Sequence, residues 1–238
     1  MAFILLAAAL LPAIVLLYYI WRMDIQKEPT SWLVKAVLYG VAICFPAAFI
    51  ETGIGAALFG GEGNPTTLFG TTVQAFFVAA VPEEGLKLLA LWLVVRKNPY
   101  FDEHFDGIVY AVCVGLGFAA IENVFYVMGE EKNWASVAIA RSLLAVPGHY
   151  AFAILMGYYY SIYHFVDHSP KVAACVFLIP VAAHGVYDAL AMSGEVAPTV
   201  GGICFFILIY FCVKIHKVAK TKLFAIIEED RKSGNIVV

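Results

Sequence analysis

Long apolar segments recur along this chain, and they restrict its fold more than any other feature. Seven segments are mostly apolar: 2–21, 33–59, 69–95, 106–128, 136–164, 171–193 and 197–215. A helix needs about 20 such residues to cross the hydrocarbon core of a bilayer. Hydrophobic residues make up 62% of the chain and charged residues 14%, whereas soluble domains average about 45–50% and ~25%. The sequence therefore predicts an all-α, polytopic transmembrane helical bundle of about seven spans in the cell membrane, surrounded by the lipid bilayer.

The chain shows no internal repeat and no long linker. We therefore predict one transmembrane helical domain over residues 1–218 and a charged cytoplasmic tail over 219–238. The tail is amphipathic and is expected in the cytosol or along the inner membrane surface. The first segment has no basic residues before it, which favours a membrane anchor over a signal peptide.

The positions of Lys and Arg predict how the spans are oriented. Most lie in or beside the odd-numbered loops or in the C-terminal segment: Arg22, Lys27, Lys35, Arg96, Lys97, Lys171, Lys214, Lys217, Lys220, Lys222, Arg231 and Lys232. The even-numbered loops hold only Lys132. Cationic loops stay on the cytoplasmic side, so the N-terminus is predicted outside and the C-terminus inside. The net charge of −3 and the lack of a basic stripe argue against a nucleic-acid partner.

Ionisable residues interrupt four of the spans, although each costs at least ~2.5–3.5 kcal/mol at mid-membrane. They are Glu83, Glu84 and Lys87 in the third span, Glu122 in the fourth, Arg141 and His149 in the fifth, and His184 and Asp188 in the sixth. Three of these groups follow a proline within four residues, namely Pro82, Pro147 and Pro180. A proline frees a backbone carbonyl, which a membrane helix tolerates where it lines an enclosed or wet cavity. We therefore predict one polar cavity shared by these four helices.

Helical spacing indicates which side chains of the third span can meet. Lys87 follows Glu83 by four residues and Glu84 by three, so it can neutralise either carboxylate. The two carboxylates point about 100° apart on a helix. We expect one of them to face the reaction centre and the other to pair with Lys87 or Arg141.

The remaining polar residues complete a set suited to hydrolysis. Asp188 lies four residues after His184 and can fix the tautomer of its imidazole. At about 1.5 Å per residue, Glu122, His184 and Asp188 fall in the outer half of the membrane, with Glu83 and His149 near its midplane. A desolvated carboxylate can activate water as a general base, and histidines can polarise a carbonyl, stabilise an oxyanion or bind a metal. The strings HExxH and GxSxG are absent, which leaves a water activated by Glu and His, with or without a metal.

Purely structural roles are the alternatives for these residues. The carboxylate pair of the third span with its lysine can link helices as an ion-paired group, and His149 can be a hydrogen-bonded packing residue. Glu122 lies near the outer end of its helix and can be solvated there. Arg141 can be an interfacial residue near the start of its span.

Residues near the predicted cytoplasmic loop are expected to have structural roles or to be solvated. Glu103, His104 and Asp106 are expected on a solvated face, and Asp106 can also cap the N-terminus of the fourth span. Gly115 and Gly117 are expected to permit close helix packing.

The motifs, in their order along the chain, resemble those of the PrsW-type intramembrane proteases. Residues 82–87 read PEEGLK and resemble the EExxK motif of that family. The strings FDGIVY at 105–110 and GLGFAAIEN at 115–123 resemble its next block, and PGH at 147–149 and HGVYD at 184–188 resemble its two histidine motifs. Each match is weak alone, but the ordered series is specific. A lysine at position 87, where many CAAX-type members have an arginine one residue later, favours the PrsW branch over prenyl-protein processing.

The resemblance implies an intramembrane endopeptidase of the wider CAAX-processing and bacteriocin-immunity group. It implies that Glu83 or Glu84 is the general base and that His149 and His184 are metal ligands or oxyanion stabilisers. Asp188 would support His184, and Glu122 would be a further metal ligand or polar partner. The implied substrate is a single-pass membrane protein, an anti-sigma factor, cut on its extracytoplasmic side. The wider group is described both as metal-dependent and as glutamate-based, so the cofactor is left open, with zinc as the candidate metal.

Two functions of other classes stay open on the sequence. Buried Glu, Asp and His can relay protons in an ion-coupled transporter, although the spans show no inverted repeat. A non-catalytic membrane scaffold related to a gamma-secretase subunit would keep the histidines, but this chain also keeps Glu83 and Glu84.

Overall fold

The computed structural model describes residues 2–61, 64–130 and 132–233 of the chain, and these form helices and short connections without a strand. The α-helices are α1 (Ala2–Met23), α2 (Thr30–Phe59), α3 (Leu68–Val73), α4 (Val81–Val95), α5 (His104–Gly129), α6 (Trp134–Ala140), α7 (Val146–Phe165), α8 (Pro170–Val196) and α9 (Pro198–Ser233). A π-helical segment, Gln74–Ala80, joins α3 to α4, and a second, Arg141–Ala145, joins α6 to α7. The polytopic helical bundle predicted from the apolar segments is therefore confirmed.

Six helical stretches of the described chain are long and apolar enough to cross a membrane: Phe3–Met23, Thr30–Phe59, His104–Gly129, Trp134–Phe165, Pro170–Val196 and Pro198–Lys232. The remaining predicted span is the continuous helical stretch 68–95, made of α3, the π-helical segment and α4. This stretch is the one that carries Glu83, Glu84 and Lys87 together, and all three are buried. The charged side chains of this stretch therefore face the protein interior.

Contacts between connections identify the two ends of the bundle. Gln26, after α1, donates to Glu103, before α5. Asp230, in the last turns of α9, accepts from the backbone N–H of His104 at 3.0 Å. Because these connections are the ones with most Lys and Arg, we call this the basic end. The described connecting residues 60–61, 64–67, 130 and 132–133 and the turn at Ala197 lie at the other end. The charge distribution predicts that this end is extracytoplasmic, and that orientation stays a prediction.

Helix α5 lies at the centre, buried along most of its length and packed against α1, α2 and α7. Its glycines permit this packing, as predicted. A Cβ on Gly115 would lie 2.8 Å from Cβ of Ala153 in α7, and one on Gly117 would collide with the carbonyl of Val37 in α2. The large apolar core therefore surrounds α5 and extends to α4 and α7.

The structure corrects the expectation of a solvated face at the start of α5. Glu103 is 4% exposed and Asp106 is 0% exposed. The two form a capping box, in which each side chain accepts from the other's backbone N–H, so the capping role expected of Asp106 is confirmed. These residues are buried because the connection before α2 and the end of α9 cover them.

Helix α9 runs without interruption through residues 218 and 219, the predicted boundary between the membrane domain and the tail. Beyond that boundary Ala219, Leu223 and Ile226 are buried in the same core as α5. The division of the chain into domain and tail stays a prediction, and residues 234–238 lie outside the described part of the chain.

Candidate active site

The structure brings together all eight residues predicted from the sequence. They lie on four helical stretches: α4 holds Glu83, Glu84 and Lys87, α5 holds Glu122, the stretch 134–165 holds Arg141 and His149, and α8 holds His184 and Asp188. They form one continuous chain of hydrogen bonds and ion pairs. Such convergence, from positions up to about a hundred residues apart, indicates one polar centre rather than separate solvated sites.

Two irregular turns position the central residues. The π-helical segments 74–80 and 141–145 end just before Pro82 and Pro147. Proline has no N–H to bond the preceding turn, and single π-helical turns inside α-helices are frequent at functional sites. The widened turns place Glu83 and His149, one and two residues after the prolines, into the interior.

Lys87 bridges the carboxylate pair. Its Nζ donates to Oε2 of Glu83 at 3.0 Å and to Oε1 of Glu84 at 2.8 Å. The same ammonium lies 3.2 Å from Nδ1 of His149 and 4.2 Å from the ring centre of Phe118. Lys87 therefore pairs with both carboxylates, including Glu83, the one that lines the cavity described below.

His184 is held on both sides of its ring. Its Nδ1 lies 2.9 Å from Oε1 of Glu84, and its Nε2 lies 3.2 Å from Oδ2 of Asp188. The ring also stacks on Phe152, with the centroids 5.2 Å apart. Asp188 therefore orients the imidazole, as the i,i+4 spacing predicts.

His149 is held in a similar way from α5. Its Nε2 lies 2.8 Å from Oε2 of Glu122, and this oxygen also accepts from Arg141 at 2.8 Å. Arg141 donates a second bond, from Nε to Oδ1 of Asn123 at 2.8 Å. Glu122 and Arg141 thus lie behind the imidazole, and Arg141 is a site residue rather than a lone interfacial cation.

A cavity of about 200 Å³ opens beside these residues. Glu83, His149 and His184 line it, whereas Glu84 lies behind and is 1% exposed. Its other lining residues extend along the helices toward the end of the bundle where α2, α5 and α8 finish; among them are Glu51, Gln74, Tyr126 and Met192. Glu83, His149 and His184 are therefore buried in the bundle, and the cavity beside them extends toward the end opposite the basic end.

Four of these side chains offer a donor set that suits a metal ion. One ligand atom from each of Glu83, Glu84, His149 and His184 lies within 4.8 Å of the others. Two imidazoles and a carboxylate are a common set for catalytic zinc. Oε2 of Glu84 is buried without a hydrogen-bond donor among the described residues, and a cation would satisfy it. Glu122 is outside this group of four, so its role as a ligand stays a prediction.

Sequence reasoning missed several residues of the cavity. Glu51 is a carboxylate within the apolar α2, a signal that was visible but not tied to the site because α2 carries no matching polar group. Gln74 lies in the first π-helical segment, and its Oε1 is buried without a partner among the described residues. The guanidinium carbon of Arg141 lies 3.9 Å from the ring centroid of Tyr126. An aromatic residue in an apolar helix does not indicate a functional site in the sequence.

A helical bundle with membrane-spanning stretches and an enclosed carboxylate–imidazole centre defines a class: polytopic membrane proteins with a hydrolase-like site. The sequence profile described as PrsW family intramembrane metalloprotease matches residues 28–215. The chain belongs to this family, and it is an intramembrane endopeptidase of the cell membrane.

Curated relatives agree with this assignment. The chain is 34% identical over 225 residues to "Protease PrsW" of Geobacillus kaustophilus, with 94% of each chain covered. It is 35% identical over 189 residues to the protein of that name in Clostridioides difficile, with 77% of each chain covered. It is 32% identical over 189 residues to that of Bacillus subtilis, covering 78% of this chain and 82% of the relative. No solved structure matches the chain.

Proposed function

We propose that this protease cuts a single-pass, anti-sigma-factor-like membrane protein near the extracytoplasmic face, with Glu83 as the general base that activates water. The observation that carries the proposal is the position of Glu83. Of the carboxylate pair it is the one that lines the cavity, and Oε2 lies 3.0 Å from Lys87 and 3.9 Å from His184. A base needs access to water and substrate, and Glu84 lacks that access.

The other residues have supporting roles in this proposal. The positive charge of Lys87 reduces the electrostatic repulsion between the carboxylates of Glu83 and Glu84. His149 and His184 face the position of the scissile carbonyl, where an imidazole can stabilise the developing oxyanion. Asp188, and Glu122 with Arg141, act through the imidazoles and are positioning residues.

For metal-dependent catalysis we propose that Glu84, His149 and His184 hold the ion, with zinc the best match to this donor set. A bound zinc would supply Lewis-acid polarisation and a more acidic water. Glu84 is chosen over Glu122 because it belongs to the four side chains whose ligand atoms lie within 4.8 Å of one another, and because its buried Oε2 has no hydrogen-bond partner among the described residues.

The proposed side of cleavage is supported by two observations taken together. The cavity reaches the end of the bundle opposite the basic end, and cationic loops are cytoplasmic in membrane proteins. A cut near the extracytoplasmic face of a membrane-spanning substrate is the result that this arrangement favours.

The test is proteolysis in liposomes that contain the purified chain and single-pass anti-sigma factors of the same host, each tagged at both ends. Wild type should cut one of them, and Glu83→Gln and His184→Ala should reduce kcat/KM by roughly 10²–10⁴-fold, the usual contribution of an acid–base residue. Glu229→Gln, an exposed carboxylate of α9, is the matched control. Cleavage at the wild-type rate by Glu83→Gln would refute the assignment of the base.

Metal dependence is tested on the protein itself. Purified wild type should contain near-stoichiometric zinc, and His149→Ala/His184→Ala should lose it while Glu229→Gln keeps it. Metal content is read by elemental analysis, so the result does not depend on finding a substrate. Metal-free protein with full activity in a chelator would leave Glu83 and the imidazoles as the complete machinery.

A further inference from the structure

A second, larger cavity of about 530 Å³ lies on the flank of the bundle. It runs between the stretch 137–145 and the hairpin formed by α8 and α9. It shares six lining residues with the catalytic cavity: Tyr126, Arg141, Ala145, Tyr187, Asp188 and Met192. The flank cavity, which we call the lateral groove, therefore adjoins the catalytic cavity that Glu83 lines.

The packing of the helices explains why the groove is open. Helix α6 packs chiefly on α5 and α1, while α8 packs on α9. Gly194 and Gly201 bring α8 and α9 together so closely that a Cβ on Gly201 would lie 2.5 Å from Cα of Gly194. The hairpin is thus tight, and the space between it and α6 forms the groove. Ala140 and Ala191 are exposed on its two sides.

The chemistry of the groove changes from its rim to its inner end. Its walls are mainly apolar, with Leu144 and Leu190 on facing elements and Leu208, 3% exposed, at the back. Its inner end is polar, because Arg141 and Asp188 stand where the groove meets the catalytic cavity. Apolar walls suit the side chains of a membrane segment, whereas the polar inner end can bond a backbone that has lost its helical hydrogen bonds.

We propose that the lateral groove is the entrance through which a membrane-spanning substrate segment reaches Glu83. This rests on the proposed function and adds its substrate subsite. A peptide bond within a helix is shielded and hydrogen-bonded, so the segment must unwind before hydrolysis. The apolar part lies against Leu144 and Leu190, and the unwound part passes between Arg141 and Asp188 into the catalytic cavity.

Two other apolar grooves of the described surface do not offer this route. One lies between α1 and the stretch 138–147, and another between α1 and α2 with Val109 and Cys113 of α5. Neither shares a lining residue with the catalytic cavity. The lining residues that it shares with the catalytic cavity distinguish the lateral groove as a substrate site.

Photo-crosslinking tests the occupant without requiring cleavage. The variant Glu83→Gln carries p-benzoylphenylalanine at position 191, and the probe is a synthetic peptide with one leucine–alanine membrane helix and a polar extracytoplasmic stem. The control carries the same group at position 182, which is exposed on the opposite side of α8. We expect roughly tenfold more peptide adduct at 191 than at 182, the excess that ~1.4 kcal/mol of preferential binding gives. Equal adducts at both positions, or lipid adducts only, would overturn the proposal.

Cleavage provides a second readout through a ratio. The ratio is kcat/KM for a membrane-spanning substrate divided by kcat/KM for a short water-soluble peptide with the same cut site. Ala191→Trp should lower this ratio roughly tenfold. Ala182→Trp should leave that ratio at its wild-type value. An unchanged ratio in Ala191→Trp would overturn the entrance. If Glu83→Gln cuts normally, the proposed catalytic base fails, while the position-specific crosslinks still decide whether the groove holds the substrate.

Discussion

Lys87 lies within 3.2 Å of Glu83, Glu84 and His149, and its side chain is 4% exposed. A buried ammonium is tolerated only when it is paired and hydrogen-bonded. Spacing on one helix predicted its contacts with the two glutamates. Its contact with His149 could not be predicted, because no spacing rule relates residues 62 positions apart on different helices.

Replacing Lys87 should therefore damage the whole centre. In Lys87→Met two buried carboxylates lose their cation, and removal of one partner of a buried ion pair costs roughly 3–5 kcal/mol. We expect both proteolysis and thermal stability in detergent to fall. Lys87→Arg, which keeps the charge, should keep most of the stability. A Lys87→Met protein as stable as wild type would show that the carboxylates do not need this cation.

At the scale of elements, the end of α9 caps the beginning of α5. Asp230 accepts from the backbone N–H of His104 at 3.0 Å and of Phe105 at 2.9 Å, and it lies 2.6 Å from Nδ1 of His104. Free N–H groups at a helix start favour such a carboxylate. The charged composition after residue 217 suggested a solvated tail, since a pattern of Lys and Glu does not reveal that one aspartate faces another helix.

Removing this cap should destabilise the basic end. Asp230→Ala should cost roughly 1–3 kcal/mol, because the buried N–H groups of His104 and Phe105 lose their acceptor. Hydrogen exchange of these two amides should accelerate, and the unfolding temperature should fall. The control is Glu228→Ala, whose exposed pair with Lys232 at 3.7 Å contributes little. Equal effects of the two substitutions would contradict a specific role of Asp230.

At the scale of the whole molecule, the length of the apolar segments predicted the helical bundle. The free-energy cost of placing a charged side chain in a membrane predicted the candidate site. Residues such as Glu83 and His184 were identifiable because each is expensive in a membrane. Helix order and loop length did not predict which helices touch, so the centrality of α5 and the lateral groove beside Ala191 needed the structure. Uncharged groove residues carry no such signal, because apolar side chains are expected throughout a membrane protein.

Orientation in the membrane is a prediction for the whole molecule. With the N-terminus outside, a cysteine at position 133 should react with a membrane-impermeant maleimide added to intact cells, and one at position 97 should react only after permeabilisation. The five native cysteines are buried or half-buried and provide the background. The reverse pattern would place the catalytic cavity toward the cytoplasm and would refute extracytoplasmic cleavage.

The basic end should make the stability of the whole bundle depend on pH. Outside the membrane-spanning segments, burial raises the pKa of Asp24 to about 6 and those of Glu28 and Glu103 to about 7. These carboxyls bind protons more tightly in the folded protein than in the unfolded chain. Their contribution is therefore complete below about pH 4, near the ordinary carboxyl pKa, and is lost as the pH rises through 6 to 7.

The variant Glu28→Gln isolates this contribution. Its amide oxygen can still accept from Tyr110, the partner of Glu28, but the side chain no longer ionises. The fall in unfolding free energy between pH 5 and pH 8 in detergent should shrink by roughly 1–3 kcal/mol, at ~1.4 kcal/mol per pKa unit. Glu229→Gln, which removes an exposed carboxylate, should follow the wild-type profile. A Glu28→Gln profile as steep as wild type would mean that Glu28 ionises equally well in the folded and unfolded chains, and that the closely packed connections at this end do not set the pH response.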